Sequence, residues 1–303
     1  MPADGPHVGT VGGLRVARAA TPKSAPGAGG RAAADERVVL GDGCAIATTL
    51  YGAANAGRGR VVLVHSLAMD RVFWRPVAER LADHAAVLTY DARGHGESDK
   101  PAGPYSTALF ARDLAQLLDH FDWPSAVVAG ASMGGCVALD FAAAYPERAA
   151  GLGLIDTTAW YGPEARQQWG ERAKRAQDAG LGTLVGFQIE RWFGEAFRKA
   201  HPGVVQRAVD TFLRNDVDAY AASCAMLGAC DLRPALPRVK APTVVLVGEE
   251  DYATPVAMAE ALERGIVGAR LIALAGARHF TPLEKPDAVA AELRRLAGAM
   301  VAR

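Results

Sequence analysis

The sequence predicts an α/β fold in which a mostly parallel central sheet is flanked by helices. Short runs that are apolar throughout and rich in β-branched residues recur along the chain, and helical patterns fall between them. Strands that are apolar on both faces are typical of a parallel sheet covered by helices on each side. A strand followed by a helix, repeated several times, indicates a doubly wound sheet.

The predicted strands and helices alternate from residue 36 onward. The first two strands, residues 37–40 and 45–51, flank Gly41-Asp42-Gly43, a sequence typical of a hairpin turn. The later predicted strands are residues 61–64, 86–90, 126–129, 152–155, 244–247 and 271–274. The predicted helices are residues 72–82, 109–121, 134–145, 255–264 and 287–297.

One long segment between residues 155 and 244 interrupts this alternation, because it has helical patterns and no strand signal. A structureless loop of that length is uncommon in a compact domain. We therefore predict a helical insertion, the lid, at residues 158–238, over the carboxyl edge of the sheet where ligands bind in such folds. The predicted core of the domain comprises residues 36–157 and 239–303.

Residues 1–35 are rich in Ala, Gly and Pro, and we predict a disordered tail there. A targeting peptide or a partner-binding arm are the alternatives for this segment.

Composition excludes a basic, charge-driven binder of nucleic acid or of anionic membranes. The 303 residues include 33 Lys+Arg and 33 Asp+Glu, so the formal net charge is zero. The four cysteines form no CxxC pair and have no metal-ligand spacing. No apolar run approaches the roughly 20 residues of a membrane helix. We expect a cytoplasmic protein with a small-molecule substrate, no nucleic-acid or membrane partner, no cofactor and no metal.

Ser132 is the candidate nucleophile. It lies in Gly130-Ala131-Ser132-Met133-Gly134, directly after a buried strand and directly before a helix. A G-x-S-x-G motif in that context forms a sharp turn that exposes the serine hydroxyl above the sheet. The motif alone is a weak signal, but its position between strand and helix makes it a strong one.

A nucleophilic serine requires a base, and in this chain order the base follows the serine and the acid. Two histidines lie downstream of Ser132. His279 follows the last predicted strand at the same sheet edge as the serine, whereas His201 lies in a polar break within the lid. We therefore predict that His279 is the base.

The acid that orients the histidine is expected in the loop after the strand at residues 244–247. Asp251 is our prediction, and Glu250 is the second choice in the same loop. Asp156, which follows the strand at residues 152–155, is an alternative location for the acid. The acid would hold the imidazole tautomer and stabilise the imidazolium.

Backbone N–H groups are expected to stabilise the oxyanion. One belongs to Met133, the residue after the nucleophile, and the other to Leu67 in the loop after residues 61–64. Losing one donor of this kind costs about 2.7–4 kcal/mol of transition-state stabilisation.

Residues 61–296 resemble the α/β-hydrolase superfamily, in which the residues above would form a Ser132–His279–Asp251 triad. The loop Asp91-Ala92-Arg93-Gly94-His95-Gly96-Glu97-Ser98 is similar to the loop after the fourth strand in that family. The resemblance implies a structural role for His95.

Within the superfamily the sequence most resembles 3-oxoadipate enol-lactonases. The similar segments are residues 65–67, 132–135, 191–193, 229–233 and 248–255. Ala68 and the surroundings of His279 depart from the pattern of those enzymes. The resemblance implies hydrolysis of a small carboxylate-bearing lactone or ester. Because a buried carboxylate needs a cationic partner, Arg191 is a candidate substrate contact, with Ser66 as another and Trp160 as a candidate pocket wall.

Other activities use the same three residues. A general carboxylesterase or a hydrolase of carbon–carbon bonds would differ only in its pocket. A cofactor-free perhydrolase or haloperoxidase-type enzyme is disfavoured, because His65-Ser66 does not match the His-Gly-aromatic pattern of those enzymes. A hydrolase-like receptor that binds without catalysis would lack one of the three residues, whereas this sequence retains all three.

Overall fold

A computed structural model describes residues 33–301 as an eight-stranded sheet with helices on both faces. The strands are β1 Ala33–Val39, β2 Ala45–Tyr51, β3 Arg60–Val64, β4 Ala86–Tyr90, β5 Ala126–Ala131, β6 Ala149–Ile155, β7 Thr243–Gly248 and β8 Arg270–Leu274. The helices are α1 Arg75–Leu81, α2 Thr107–His120, α3 Met133–Ala144, α4 Ala165–Ala179, α5 Val185–Trp192, α6 Glu195–Ala200, α7 Pro202–Leu213, α8 Val217–Gly228, α9 Val256–Gly265, α10 Thr281–Glu284 and α11 Pro286–Val301.

The strands lie in the order β1-β2-β4-β3-β5-β6-β7-β8. The hairpin strands β1 and β2 are antiparallel to their neighbours, and every pairing from β4 to β8 is parallel. The predicted fold class, with its mostly parallel sheet, is therefore confirmed. The parallel strands all end at one edge of the sheet, and the loops that leave this edge carry the candidate site residues.

The central strands are buried on both faces, as their uniformly apolar sequences predict. Strands β4, β5 and β7 are buried along their whole length, and the edge strand β8 is partly exposed. Helix α1 packs against α11 and helix α2 packs against α3, so both faces are covered. Helix α3 is apolar all round and almost wholly buried, because it lies between the sheet and α2.

The chain between β6 and β7 contains helices α4 to α8 and no strand. Helices α4 and α8 pack closely against each other, and α4 buries Trp169, Ala173 and Ala176 on one face. Asp216 caps α8, because its carboxylate accepts a hydrogen bond from the Ala219 N–H at 2.9 Å. The lid segment is thus a packed helical unit on the carboxyl side of the strands.

The start of β1 differs from the sequence prediction. Residues 33–35, which we assigned to the disordered tail, pair with β2, and the Thr49 hydroxyl donates to the Asp35 carboxylate at 2.5 Å. Most of β1 is exposed, so it lacks the apolar pattern by which the other strands were recognised. The rest of the predicted tail, residues 1–32, lies outside the described residues.

A buried ion pair fixes the loop after β4 to helix α2. Arg93 donates two hydrogen bonds of 2.6 Å to the Asp113 carboxylate, and both side chains are at most 5% exposed. The guanidinium also reaches Asp42 at 2.8 Å. Removing Asp113 would leave the buried Arg93 guanidinium with Asp42, which is 40% exposed, as its remaining carboxylate partner.

We therefore expect Asp113→Ala to lower the free energy of unfolding by about 3–5 kcal/mol, measured by urea denaturation. The matched control is Asp231→Ala, which removes the exposed partner of Arg233 and should cost no more than about 1 kcal/mol. Equal losses in the two variants would show that burial of the Arg93 pair does not matter.

Candidate active site

The structure brings together three side chains from three loops at the carboxyl edge of the sheet. Ser132 lies between β5 and α3, Asp251 follows β7, and His279 follows β8. All three side chains are buried or nearly so, with Ser132 at 7% exposure. Because β5, β7 and β8 are parallel, the residues that follow them meet at the same edge.

Ser132 lies in a strained turn that its neighbouring glycines permit. Its φ is 53° and its ψ is −116°, a conformation that residues with a side chain rarely adopt. A Cβ at Gly130 would lie 2.0 Å from the Gly134 carbonyl oxygen, and a Cβ at Gly134 would lie 2.2 Å from the Val64 carbonyl oxygen. Both positions therefore require glycine, and their packing fixes the serine at the start of α3.

A chain of hydrogen bonds connects the three side chains. His279 Nε2 lies 3.0 Å from the Ser132 hydroxyl, and His279 Nδ1 donates to Asp251 Oδ2 at 2.8 Å. The Thr254 hydroxyl donates to the same carboxylate oxygen at 2.9 Å, and the N–H groups of Ala253 and Thr254 donate to Oδ1. The carboxylate is thus fixed by four donors, one of which is the imidazole.

The environment of Asp251 favours its ionised form. Burial alone would raise the pKa of this carboxyl, but the attraction of His279 and the hydrogen bonds from His279 and Thr254 keep that pKa below its usual value. An ionised carboxylate accepts the Nδ1–H and leaves Nε2 free to face the Ser132 hydroxyl. This is the arrangement that a general base requires.

The two other candidate acids occupy different positions. Glu250 is exposed, and its carboxylate lies 3.7 Å from the Arg278 guanidinium. Asp156 is fully buried and accepts hydrogen bonds from the Gly248 N–H, the Thr281 N–H and the Thr281 hydroxyl. Burial and the nearby Asp251 carboxylate raise the pKa of Asp156 well above its usual value. Of the three acids, Asp251 is the one hydrogen-bonded to His279.

The other candidate histidines lie elsewhere. His201 is exposed at the end of α6, where its ring packs against Phe197. His95 is buried, its ring centroid lies 5.0 Å from that of His65, and its Nδ1 lies 3.1 Å from the Arg93 carbonyl oxygen. Burial, reinforced by His65, lowers the pKa of His95 to about 3, so the ring is neutral.

The predicted oxyanion donors lie near Ser132: Met133 follows it directly in the chain, and Leu67 lines the same cavity. Leu67 and Ser66 line the same small cavity as Ser132 and His279. Met133 is the first residue of α3, where backbone N–H groups have no intrahelical acceptor. Neither the Leu67 N–H nor the Met133 N–H donates a hydrogen bond to any described residue. Both are therefore available to an oxygen bound beside Ser132.

Two connected cavities lie between the sheet edge and the lid segment. The inner cavity, about 20 Å³, is the one beside Ser132 and His279. The outer chamber, about 600 Å³, opens toward solvent between α4, α5 and the loop after β7. The residues that line both are Tyr161, Trp169, Arg172 and Arg191.

Arg191 lies where we expected a substrate contact, at the junction of the two cavities. Its guanidinium stacks on Phe187 at 5.5 Å from the ring centroid and lies 3.5 Å from the Ala253 carbonyl oxygen. It forms no ion pair with a carboxylate in residues 33–301. Burial and the neighbouring Arg172 guanidinium lower the pKa of Arg191 to about 10, so it remains a cation at neutral pH.

Trp160, the predicted pocket wall, does not line either cavity. Its backbone pairs with Asp231, and the Arg233 guanidinium lies over its ring at 3.8 Å. Successive side chains of an extended segment point to opposite sides. The next residue, Tyr161, therefore faces the cavities while Trp160 faces away from them.

Sequence reasoning also missed Arg172 and Gln188, both of which line the inner cavity. A signal for Arg172 was present in α4. Gln168, Arg172 and Arg175 recur at helical spacing and share the face that borders the outer chamber. Gln188 gave no such signal, because a single glutamine in a helix is ordinarily exposed.

No group of three or more His, Cys, Asp or Glu side chains within residues 33–301 is arranged to hold a metal ion. The described helices include none that is long and apolar enough to span a membrane. All four cysteines are buried and unpaired.

The chain matches a family model described as the alpha/beta hydrolase fold over residues 59–286. It is 33% identical over 233 residues to 3-oxoadipate enol-lactonase 2 of Acinetobacter baylyi, and this alignment covers 77% of this chain and 86% of that protein. Its structure is similar to the enol-lactonase of Burkholderia xenovorans, with a TM-score of 0.82, 31% identity, and coverage of 86% and 99% of the two chains. A thermophilic esterase of Thermogutta terrifontis, solved with malate bound, gives a TM-score of 0.80, 31% identity, and coverage of 87% and 99%.

The strained turn at Ser132 predicts an unusual stability effect. Ser132→Gly should raise the free energy of unfolding relative to Ser132→Ala by about 1–2 kcal/mol, because glycine adopts a positive φ without steric cost. Chemical denaturation of the two variants provides the measurement. A less stable Ser132→Gly variant would show that the turn is not strained.

Proposed function

Because the chain belongs to the α/β-hydrolase family, we propose that it hydrolyses a small lactone or carboxylic ester through an acyl-enzyme on Ser132. The observation that carries this proposal is the continuous hydrogen-bonded chain from the Ser132 hydroxyl through His279 to the Asp251 carboxylate. The distances, 3.0 and 2.8 Å, are those over which a proton is transferred between a nucleophile and its base.

The proposed reaction begins when Ser132 attacks the substrate carbonyl while His279 Nε2 removes its proton. The Leu67 and Met133 N–H groups stabilise the tetrahedral oxyanion. His279 then protonates the leaving oxygen, and the acyl-enzyme forms. Water, deprotonated by the same imidazole, releases the acid and restores the serine. Asp251 stays ionised and stabilises the imidazolium in each half of the reaction.

For the substrate, we propose 3-oxoadipate enol-lactone, which would place the enzyme in aromatic catabolism. Two relatives that share about a third of their residues with this chain are named as enol-lactonases. The unpaired Arg191 guanidinium at the mouth of the inner cavity supports a substrate that carries a carboxylate, since Arg binds carboxylates bidentately. Ring opening releases an enol, which becomes a ketone, and this favours hydrolysis.

A general carboxylesterase is the second candidate, because the esterase structure is almost as similar to this chain as the enol-lactonase structure is. That esterase was solved with malate, a small dicarboxylate, so an ester with an acidic group fits both candidates. The two differ in whether the pocket selects for charge. The cytoplasmic location, the small-molecule substrate and the absence of a cofactor remain predictions from the sequence.

Removing the nucleophile or the base should abolish turnover without unfolding the protein. We expect Ser132→Ala and His279→Ala to lower kcat by a factor on the order of 10⁶ on any hydrolysed substrate. His201→Ala is the matched control, since that exposed histidine lies outside the site. Near-native rates in Ser132→Ala, with a native circular dichroism spectrum, would refute the assignment of the nucleophile.

The substrate is tested by kcat/KM for 3-oxoadipate enol-lactone beside an uncharged short-chain aryl ester, on one enzyme preparation. We expect a preference of several orders of magnitude for the lactone. Arg191→Leu should raise KM for the lactone about 10- to 100-fold, because a charged hydrogen bond to the substrate is lost. The KM for the ester should stay almost unchanged.

Arg175→Leu provides the control for that variant, because Arg175 is an exposed arginine at the rim of the outer chamber. If the wild-type enzyme preferred the neutral ester, the proposed hydrolytic mechanism would stand, but 3-oxoadipate enol-lactone would be ruled out as the substrate. The enzyme would then be a general esterase.

A further inference from the structure

Gln188 is a buried polar side chain without a partner, and it faces the reacting centre. It lies on α5, is 1% exposed, and lines the inner cavity with Ser132 and His279. Its Oε1 atom forms no hydrogen bond within the part of the chain that the structure describes. A buried amide without a hydrogen-bond partner destabilises the folded protein. A glutamine kept at such a cost beside a nucleophile has the chemistry of a ligand contact.

Arg172 borders the same cavity and is held rigidly. Its Nε donates to the Tyr220 hydroxyl at 2.6 Å, and its guanidinium lies over the Trp169 ring at 4.8 Å from the centroid. No carboxylate of the described residues forms an ion pair with it. The contacts with Tyr220 and Trp169 position the cation while its terminal amino groups remain available.

Arg172 and Arg191 therefore bring two positive charges to one cavity wall without a carboxylate to pair with them. The two guanidiniums repel each other. The only acidic side chain that lines the outer chamber in the described residues is Glu171, which is exposed. An anion bound between the guanidiniums would relieve this repulsion, so the pair has the character of an anion site.

We propose that Arg172, Arg191 and Gln188 form one subsite that recognises a carboxylate together with an oxygen on the β carbon. The two guanidiniums share the carboxylate, and the Gln188 carboxamide hydrogen-bonds the β oxygen. Rotation of the carboxamide by 180° exchanges its oxygen and nitrogen, so it can serve as a donor or an acceptor. The ligand class is small 3-oxo or 3-hydroxy carboxylates and their esters and lactones.

This inference rests on the proposed function and extends it to substrate selection. In 3-oxoadipate enol-lactone, the ring oxygen that leaves is attached to the carbon β to the carboxylate. Gln188 would then hold this oxygen before ring opening, as an ester oxygen, and afterwards, as a ketone. The residue acts on specificity, because a substrate without the β oxygen leaves the buried carboxamide unpaired.

The test is direct binding to the Ser132→Ala protein by isothermal titration calorimetry, with three probes of equal chain length. Hexanoate carries the carboxylate alone, 3-hydroxyhexanoate adds the β oxygen, and hexanamide removes the charge. We expect 3-hydroxyhexanoate to bind about tenfold tighter than hexanoate, which corresponds to one hydrogen bond. Hexanamide should bind at least about tenfold more weakly than hexanoate.

Substitutions separate the two parts of the subsite. Gln188→Leu should reduce the preference for 3-hydroxyhexanoate to about onefold, whereas Gln168→Leu, at an exposed position of the outer chamber, should preserve it. Arg172→Leu should weaken the binding of hexanoate and of 3-hydroxyhexanoate by a similar factor, so the preference between them is preserved. Arg175→Leu should leave both affinities unchanged. Gln188→Met, closer in shape to glutamine, replaces Gln188→Leu if circular dichroism shows that the leucine variant does not fold.

Equal affinity for hexanoate and 3-hydroxyhexanoate, or no measurable binding of 3-hydroxyhexanoate, in the protein with Gln188 intact would overturn the proposal. Persistence of the preference in the Gln188 variant would overturn it as well. These readouts require no turnover, so they are independent of the proposed activity. If the protein bound 3-hydroxyhexanoate as expected but did not hydrolyse the enol-lactone, the proposed subsite would stand and the proposed substrate would be wrong.

Discussion

The site depends on a close backbone contact between the end of β3, the end of β5 and the start of α3. There is no space for a Cβ at Gly130 or Gly134, since each would collide with a carbonyl oxygen, in the second case that of Val64. This packing sets the height of Ser132 above the sheet. It also places the loop after Val64, which contains Leu67, beside the serine. The nucleophile and one proposed oxyanion donor therefore derive their positions from the same contact.

Asp156 helps to position the loops that carry the acid, Asp251, and the base, His279. Its buried carboxyl bonds the Gly248 N–H at the end of β7 and both the N–H and the hydroxyl of Thr281, two residues after His279. Burial and the nearby Asp251 carboxylate raise the pKa of Asp156 well above its usual value, whereas the pKa of Asp251 is held below its usual value. The pKa values of these two neighbouring carboxyls are thus shifted in opposite directions, because Asp251 faces an imidazole whereas Asp156 is fully buried near the Asp251 carboxylate.

Sequence patterns predicted the parts of this molecule that depend on local rules. The buried strands were recognisable from uniformly apolar runs, and Ser132 from a motif between a strand and a helix. The exposed strand residues 33–35 were missed, because their pairing depends on polar contacts with β2. Tyr161 lines the cavities and Trp160 does not. This could not be predicted from the sequence, because the direction of a side chain in an extended segment depends on register. Arg172 and Gln188 required the packing of α4 and α5 over the sheet, which no local pattern specifies.

The zero net charge of the chain conceals a strongly uneven local distribution. Arg172, Arg175 and Arg191 surround the outer chamber, against Glu171 alone among its acidic wall residues in the described part of the chain. Arg172 and Arg191, the two arginines of the proposed subsite, belong to the helices between β6 and β7, whereas Ser132, Asp251 and His279 belong to loops of the sheet. The proposed reaction and the proposed selection of an anion thus reside on separate elements. A substitution in those helices can therefore change which substrate is accepted while the hydrogen-bonded chain that activates the serine stays intact.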